Sequence, residues 1–139
     1  MTFNELQKAF KTVEIDRLIQ DYGITLIMIF GSVAKETSNA NSDIDIAVLL
    51  NEQNDEFHLK IRFRLIDFFE KIFKKNCDVI LLNEAPPQLK YQIFKYGRLL
   101  LEKDNSYNKV FTQTLKEYFD FIYFANFCYI KIRESFMMR

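Results

Sequence analysis

The chain has 139 residues, 49% of them hydrophobic, and its 19 basic residues balance 19 acidic ones. The apolar fraction excludes a disordered chain, because it is enough to build the core of one compact domain. The zero net charge argues against a protein that coats nucleic acid, which needs a basic excess, so no direct nucleic-acid binding is expected.

The spacing of the apolar residues predicts helices that alternate with short strands. In chain order these are a helix over residues 3–20, a strand over 24–30, a helical turn over 32–35, a strand over 43–50, a helix over 55–75, a strand over 77–82, a helix over 88–95, an edge strand over 98–102 and a helix over 105–136. This order predicts an α/β (α+β) fold, with helices flanking a small mixed β-sheet. The pattern leaves the order of the strands open.

Two of these helices have an apolar face at helical spacing. The face of the helix over residues 3–20 is formed by Leu6, Phe10, Val13 and Leu18, and that of the helix over 55–75 by Leu59, Phe63, Ile66, Phe69 and Phe73. The only histidine, His58, is expected on the surface of the second helix or at an interface. The basic residues of the same helix, Arg62, Arg64, Lys71, Lys74 and Lys75, are expected on a solvated face or opposite an acidic partner.

Cysteine use and hydropathy indicate a cytoplasmic protein. Cys77 and Cys128 have no metal-type spacing and lie in apolar surroundings, which favours free, buried thiols over a disulfide. The N-terminus lacks the apolar core of a signal peptide. No run approaches the roughly 18 apolar residues of a membrane span, so no membrane association is expected.

The predicted strand over residues 24–30 ends in Gly31-Ser32, a pair suited to phosphate. Glycine lets a phosphate approach the backbone closely, and Ser32 adds a hydroxyl and an N–H group at the start of a helical turn. Lys35 and Ser42 are further candidates for contact with the nucleotide. As alternatives, Gly31-Ser32 is an ordinary strand-to-helix turn and Lys35 a surface lysine.

Ten residues after Ser32, the next strand opens with Asp43-Ile44-Asp45. Residues two apart on a strand point to the same face, and two carboxylates that close together repel unless a cation lies between them. Mg²⁺ prefers carboxylate oxygens, waters and substrate phosphates. Asp78, at the start of the third strand, completes the set if the two strands are neighbours. The alternatives are a solvated strand end with a loop-capping Asp43, and an ordinary strand-start aspartate at position 78.

The stretch GSVAKETSNANSDID, with Asp78 in a later strand, resembles the signature of the polymerase-beta-type nucleotidyltransferase superfamily. It is most similar to the minimal nucleotidyltransferases, the MntA-like antitoxins that are paired with HEPN-domain toxins. The resemblance covers roughly residues 24–102. The sequence departs from many relatives at Glu36, where they carry glycine, and an acidic residue there puts the geometry of the phosphate loop in question.

The resemblance implies a polymerase-beta-type nucleotidyltransferase fold and an enzyme that transfers AMP from ATP to a tyrosine of a HEPN-type ribonuclease toxin, which it silences. It implies that Gly31 and Ser32 bind the triphosphate, that Asp43 and Asp45 bind Mg²⁺, and that Asp78 binds Mg²⁺ and acts as the base. Two alternatives stay open. The first is a non-catalytic antitoxin that neutralises the toxin by contact, and the second is a nucleotidyltransferase that acts on a small molecule.

The C-terminal helix carries aromatic residues around nearly its whole circumference, which indicates deep burial or contact with a partner. The aromatic residues are Phe111, Tyr118, Phe119, Phe121, Tyr123, Phe124, Phe127 and Tyr129. We therefore predict a nucleotidyltransferase domain over residues 1–104 and a C-terminal helix over 105–139 that packs on it or binds a partner. The simplest alternative to a partner is a core helix that lies across the sheet.

Overall fold

A computed structural model describes residues 2–11, 15–39, 41–51 and 57–137. Its elements are α1 (Phe3–Lys11), α2 (Ile15–Tyr22), β1 (Ile24–Phe30), α3 (Gly31–Ala34), β2 (Ile44–Leu50), α4 (His58–Phe73), β3 (Cys77–Leu81), α5 (Pro87–Tyr96), β4 (Arg98–Glu102) and α6 (Ser106–Met137). All four predicted strands are present, each within one residue of its predicted bounds.

The four strands form one sheet in the order β3-β2-β1-β4. β1 is antiparallel to β2 and to β4, whereas β2 and β3 are parallel. The parallel pair is possible because α4 carries the chain back from the end of β2 to the start of β3. The structure thus confirms a small mixed sheet with helices on both faces and β4 at an edge.

Alternating side chains of the strands supply two separate apolar layers. Ile44, Ile46 and Val48 of β2 are fully buried in the layer that α1 and α4 cover. Residues of opposite parity, such as Met28 and Ala47, join the layer under α5 and the start of α6. Asp45 shares this second face of the sheet with Ala47.

The N-terminal segment is divided differently from the prediction. The structure has two helices, α1 and α2, on either side of residues 12–14, which lie outside the described residues. Leu6 and Phe10 are buried as predicted. Val13 and the side chain of Leu18, which were predicted on the apolar face of this helix, lie outside the described part of the chain. The same holds for Ala40 of the predicted loop and for residues 55–56 of the predicted helix.

The buried face of α4 is only partly the predicted one: Phe69 and Phe73 lie on it as predicted, with Ile66 packed against the same layer, whereas two other predicted residues do not. Leu65, Phe69 and Phe73 are buried, but Leu59 and Phe63 are mostly exposed. Apolar residues lie on several sides of this helix, and only packing against the sheet decides which side is covered. His58 is also not on the surface: it is 3% exposed, and its Nδ1 lies 2.6 Å from Oε1 of Glu84.

The two cysteines are free, in agreement with the prediction, although their burial differs. Cys77 is buried at the start of β3, where burial raises the pKa of its thiol to about 12, with the neighbouring Glu70 and Asp43 carboxylates adding to the shift. Cys128 is only partly buried, so the prediction of a core position was wrong for it. The reason is that this part of α6 has no layer of the domain above it.

The long α6 packs only through its first turns. Tyr107, Val110 and Phe111 rest on the layer under α5, and Thr114 is the one buried residue of the helix. Of the helices that the structure describes, α6 included, none combines the length and the apolar character that crossing a bilayer demands.

Candidate nucleotide and metal site

The Gly-Ser loop is a tight turn between β1 and α3. Gly31 has φ +71°, a left-handed conformation that glycine adopts without strain. A Cβ atom at this position would collide with the carboxylate of Asp45. The next turn is closed by Thr37, whose N–H donates to the carbonyl oxygen of Ser32 at 2.9 Å. The turn therefore places the backbone of Gly31 directly against the side chain of Asp45.

Strand register brings two of the predicted carboxylates together. Asp45 of β2 is paired with Asp78 of the parallel β3, and Asp45 also lies opposite Phe30 of β1. Paired residues of neighbouring strands project to the same face, so Asp45 and Asp78 lie side by side on the face that carries the Gly-Ser turn. Asp43 stands one residue before β2 and is exposed.

The charges of the three aspartates act on one another. The pKa of Asp45 is raised above its ordinary value, chiefly because the group is partly buried, and further because of the negative charges of Asp78 and Asp43. A cation near these oxygens would relieve the repulsion. In the side-chain positions of the described residues, however, no three Asp, Glu, His or Cys side chains are arranged so that they could hold a metal ion together.

Arg62 is a site residue that the sequence did not identify. Its Nε donates to the carbonyl oxygen of Val79 at 2.6 Å, and one of its terminal nitrogens lies 3.4 Å from Oδ1 of Asp78. The side chain of Arg62 is partly exposed, as expected for a solvated helix face, but its contacts with β3 were not predicted. No local signal could have found it, because the contact depends on α4 packing beside β3.

The remaining candidates lie around the turn. The ammonium group of Lys35 is 5.1 Å from the ring centroid of Tyr96, a cation–π contact at the end of α5. The hydroxyl of Ser42 accepts the N–H of Asn39 at 3.0 Å, so it holds the loop that leads into Asp43. A cavity of about 360 Å³ opens beside Asp43, with Lys74 and Lys75 on its far side.

A larger cavity, of about 540 Å³, lies at the opposite ends of β1 and β2. Several of its polar residues are engaged with one another or with the backbone. Lys90 and Glu117 form an ion pair at 2.8 Å, and the side-chain amide of Asn83 both donates to and accepts from the backbone of Leu50. None of Asp43, Asp45 and Asp78 lines this cavity. The candidate metal and nucleotide site therefore lies at the Gly31 end of the sheet.

Glu36, the departure from the expected glycine, has a φ of 60°. This left-handed backbone explains why glycine is favoured at the position. The carboxylate of Glu36 is directed to Arg98 at the start of β4, with a nitrogen-to-oxygen distance of 3.2 Å. The acidic side chain is thus exposed and partly neutralised at the edge of the loop.

Glu36→Gly is expected to raise the free energy of unfolding by roughly 0.5 to 1 kcal/mol, because glycine removes the left-handed penalty and the lost exposed ion pair is weak. It is also expected to strengthen ATP binding a few fold by removing a negative charge near the loop. Thermal melts and titration calorimetry measure the two effects. Glu36→Gln, which keeps the strained backbone, should improve only ATP binding, and Asp104→Gly, at another left-handed position beyond the end of β4, should improve only stability. Weaker ATP binding by Glu36→Gly would contradict this interpretation.

The sequence and the fold both match known proteins. The family model described as "Polymerase beta, Nucleotidyltransferase" matches residues 13–106. No curated protein matches the chain in sequence.

Three solved structures illustrate the likeness of fold. A toxin–antitoxin structure with AMP-PNP has a TM-score of 0.64 at 24% identity, covering 90% of this chain and 96% of the other. A tri-AMPylated Shewanella oneidensis HEPN toxin in complex with MNT antitoxin gives 0.61 at 21% identity, with coverages of 96% and 99%. A MntA–HepT toxin–antitoxin structure gives 0.58 at 23% identity, with coverages of 91% and 95%. At these identities the likeness is one of fold.

Proposed function

The chain belongs to the polymerase beta nucleotidyltransferase family, and we propose that it is an antitoxin that transfers AMP from Mg-ATP to a tyrosine hydroxyl of a HEPN-family ribonuclease toxin. The observation that carries this proposal is the pairing of Asp45 with Asp78 in the parallel register, with the Gly31 turn packed against Asp45. A phosphate-binding turn beside adjacent carboxylates is what a metal-bound triphosphate requires.

We assign the nucleotide to the Gly31 turn. The Ser32 hydroxyl and the N–H groups of the turn would bind the β- and γ-phosphates, and Lys35 would add a positive charge near them. The cation–π contact with Tyr96 keeps the Lys35 ammonium group close to the turn. Ser42 would lie at the rim of the site, where its hydrogen bond with Asn39 stabilises the loop that leads to Asp43.

The residues present fit a magnesium ion. Asp43, Asp45 and Asp78 offer only carboxylate oxygens, the donor type that Mg²⁺ prefers, and their mutual repulsion favours a cation among them. When bound, Mg²⁺ would neutralise the charge that develops on the phosphates. Among the described residues no three ligands are already in place, so Mg²⁺ binding would require Asp43 and Asp78, both exposed, to turn toward Asp45.

The reaction that these residues support is an in-line displacement. The oxygen of the toxin hydroxyl bonds to the α-phosphorus of ATP, the bond from that phosphorus to the bridging oxygen breaks, and pyrophosphate leaves. The hydroxyl proton passes to the carboxylate of Asp78, the base. Arg62, anchored on Val79, holds that carboxylate at the edge of β3, which makes it a positioning residue.

The partner and the nucleotide are proposed from likeness. Structures with the same fold are antitoxins in complexes with HEPN toxins, one toxin is described as tri-AMPylated, and another complex was solved with AMP-PNP. These facts belong to those proteins and support the same assignment here. Since a ribonuclease toxin acts on cellular RNA and its silencing needs ATP, we propose a cytoplasmic location.

Intact-mass analysis tests the proposal. The full chain is incubated with ATP, Mg²⁺ and the HEPN-type product of the adjacent reading frame, and the toxin is expected to gain the mass of one or more AMP units. An ATP analogue with a non-cleavable α–β bridge should give no gain, and neither should a toxin whose accepting tyrosine is changed to Phe. A toxin that is silenced with no added mass would overturn the enzymatic assignment and identify neutralisation by contact.

A further inference from the structure

The second half of α6 has an apolar surface that is largely exposed in the described structure. We call residues 119–137 the α6 arm. Phe121 and Ile122 are partly buried, but nine other large apolar side chains are between 51% and 78% exposed. They are Phe119, Tyr123, Phe124, Phe127, Tyr129, Ile130, Ile132, Phe136 and Met137. At 1.5 Å per residue, the arm is about 27 Å long.

The arm begins just after the ring and ion-pair contacts that join α6 to α5. The ring of Tyr118 stacks on that of Tyr91 of α5 with centroids 4.0 Å apart, and Glu117 pairs with Lys90 at 2.8 Å. Beyond residue 118, no described residue of α6 is buried. The first half of the helix is therefore a rigid base, and the arm extends from it.

The exposed apolar area is large for a single soluble chain. An aromatic side chain has roughly 150 to 250 Å² of surface, so nine large side chains that are more than half exposed present about 1,000 Å². The largest apolar patch of an ordinary monomer is about 300 to 600 Å², and one side of a stable protein interface buries about 800 Å². The arm alone thus carries enough surface for a complete interface.

The arrangement of these residues around the helix indicates what kind of partner covers them. At 100° per residue, the nine side chains encircle the arm and leave no gap wider than about 80°. A single neighbouring helix covers an apolar stripe of about 100°. A symmetric pair with a second copy of the chain would bury one stripe and leave the others in water, so full burial requires neighbours on at least two sides.

The charges of the arm point to an apolar partner surface. It has two acidic residues, Asp120 and Glu134, and two basic residues, Lys131 and Arg133, so its net charge is zero. Lys131 and Glu134 are close to each other on the helix, 3.9 Å apart. Binding is therefore expected to depend on apolar burial and to change little with salt.

We infer that the α6 arm inserts between helices of a helical partner protein and is covered on at least two sides. The inference rests on the proposed function in taking that partner to be the toxin that accepts AMP. The base of the helix stays on the nucleotidyltransferase domain of residues 1–104, so the arm would tether the acceptor to the enzyme. A tether of this kind raises the local concentration of the accepting hydroxyl.

Two double variants test whether both sides are buried. Tyr123→Gln with Ile130→Gln changes one side, and Phe124→Gln with Ile132→Gln changes a side about 150° away. Each is expected to weaken the complex with the HEPN-type product of the adjacent reading frame by about tenfold or more, measured by titration and by light scattering on a sizing column. The matched control, Lys131→Gln with Glu134→Gln, removes exposed charges of the same arm and should leave the affinity unchanged.

The outcomes separate this inference from the proposed function. Loss of affinity in only one apolar variant would show that the toxin contacts a single side of the arm, and would overturn the inference. Unchanged affinity in both apolar variants would also overturn the inference. Mg-ATP binding and thermal melts should match the unchanged chain in all three variants, because the arm lies outside the domain. A complex that depends on both sides of the arm but transfers no AMP would support the inference and refute the proposed function.

Discussion

Asp45→Asn is expected to abolish AMP transfer, with a loss of about a thousandfold or more, while the chain stays folded. The reason is that Asp45 is the aspartate that lies against the Gly31 turn and pairs with Asp78, so it stands between the phosphates and the base. Removing a metal-binding carboxylate removes several kcal/mol of charge stabilisation in the transition state, and about 1.4 kcal/mol corresponds to tenfold in rate. Intact-mass time courses measure the loss.

The same variant is expected to be more stable than the unchanged chain when no divalent cation is present. Burial and the charges of Asp78 and Asp43 raise the pKa of Asp45, so its ionised form is disfavoured in the folded state. A raised carboxyl pKa means that folded-state stability falls as the pH rises through the range in which Asp45 ionises. Asn removes this pH dependence. Thermal melts across that pH range, with and without Mg²⁺, measure the effect. The increase in melting temperature of Asp45→Asn over the unchanged chain should become smaller when Mg²⁺ is added.

Asp67→Asn is the matched control, since Asp67 is an exposed carboxylate of α4 with only a surface partner, Lys71. It should retain full activity and an unchanged melting curve. Asp43→Asn and Asp78→Asn should lose transfer as Asp45→Asn does. Full activity in Asp45→Asn would refute the metal assignment, and an unfolded variant would show that the carboxylate is structural.

Gly31→Ala is expected to lower AMP transfer by about a hundredfold or more and to destabilise the fold. The new Cβ would meet the carboxylate of Asp45, which must then move away from its place beside Asp78. A displacement of about 1 Å in a catalytic site can cost a hundredfold in rate. Alanine in the left-handed backbone at φ +71° also destabilises the folded state by about 1 to 2 kcal/mol.

Gly23→Ala separates the loss of stability of Gly31→Ala from its loss of AMP transfer. Gly23 has a similar φ of +63°, but a Cβ there would make only an ordinary 3.4 Å contact with Asn51. It should therefore share the backbone penalty of Gly31→Ala without its loss of activity. Chemical denaturation measures the first effect and the transfer assay the second. Equal activity in the two variants would show that Gly31 serves the turn alone and not the placement of Asp45.

Strand periodicity was the reliable local signal. The alternation of Ile44, Asp45 and Ile46 predicted both the strand and the face of each side chain, because successive residues of a strand must point to opposite sides. Helix faces were less certain. In α4, apolar residues lie on several sides, and exposed Leu59 and Phe63 could not be told from buried Leu65 without the sheet. His58 was misplaced for the same reason.

The sequence by itself determined the four strands, most of the helices, the mixed character of the sheet, and the Gly31 turn with its spacing to Asp43 and Asp45. It did not determine that the N-terminal segment forms two helices. Only the tertiary structure decided that Asp78 pairs with Asp45, that Arg62 reaches Asp78, and that most of α6 beyond Tyr118 is exposed. Those facts depend on the order of the strands and on how helices pack against the sheet. Such contacts join distant parts of the chain, and no local pattern of residues specifies them.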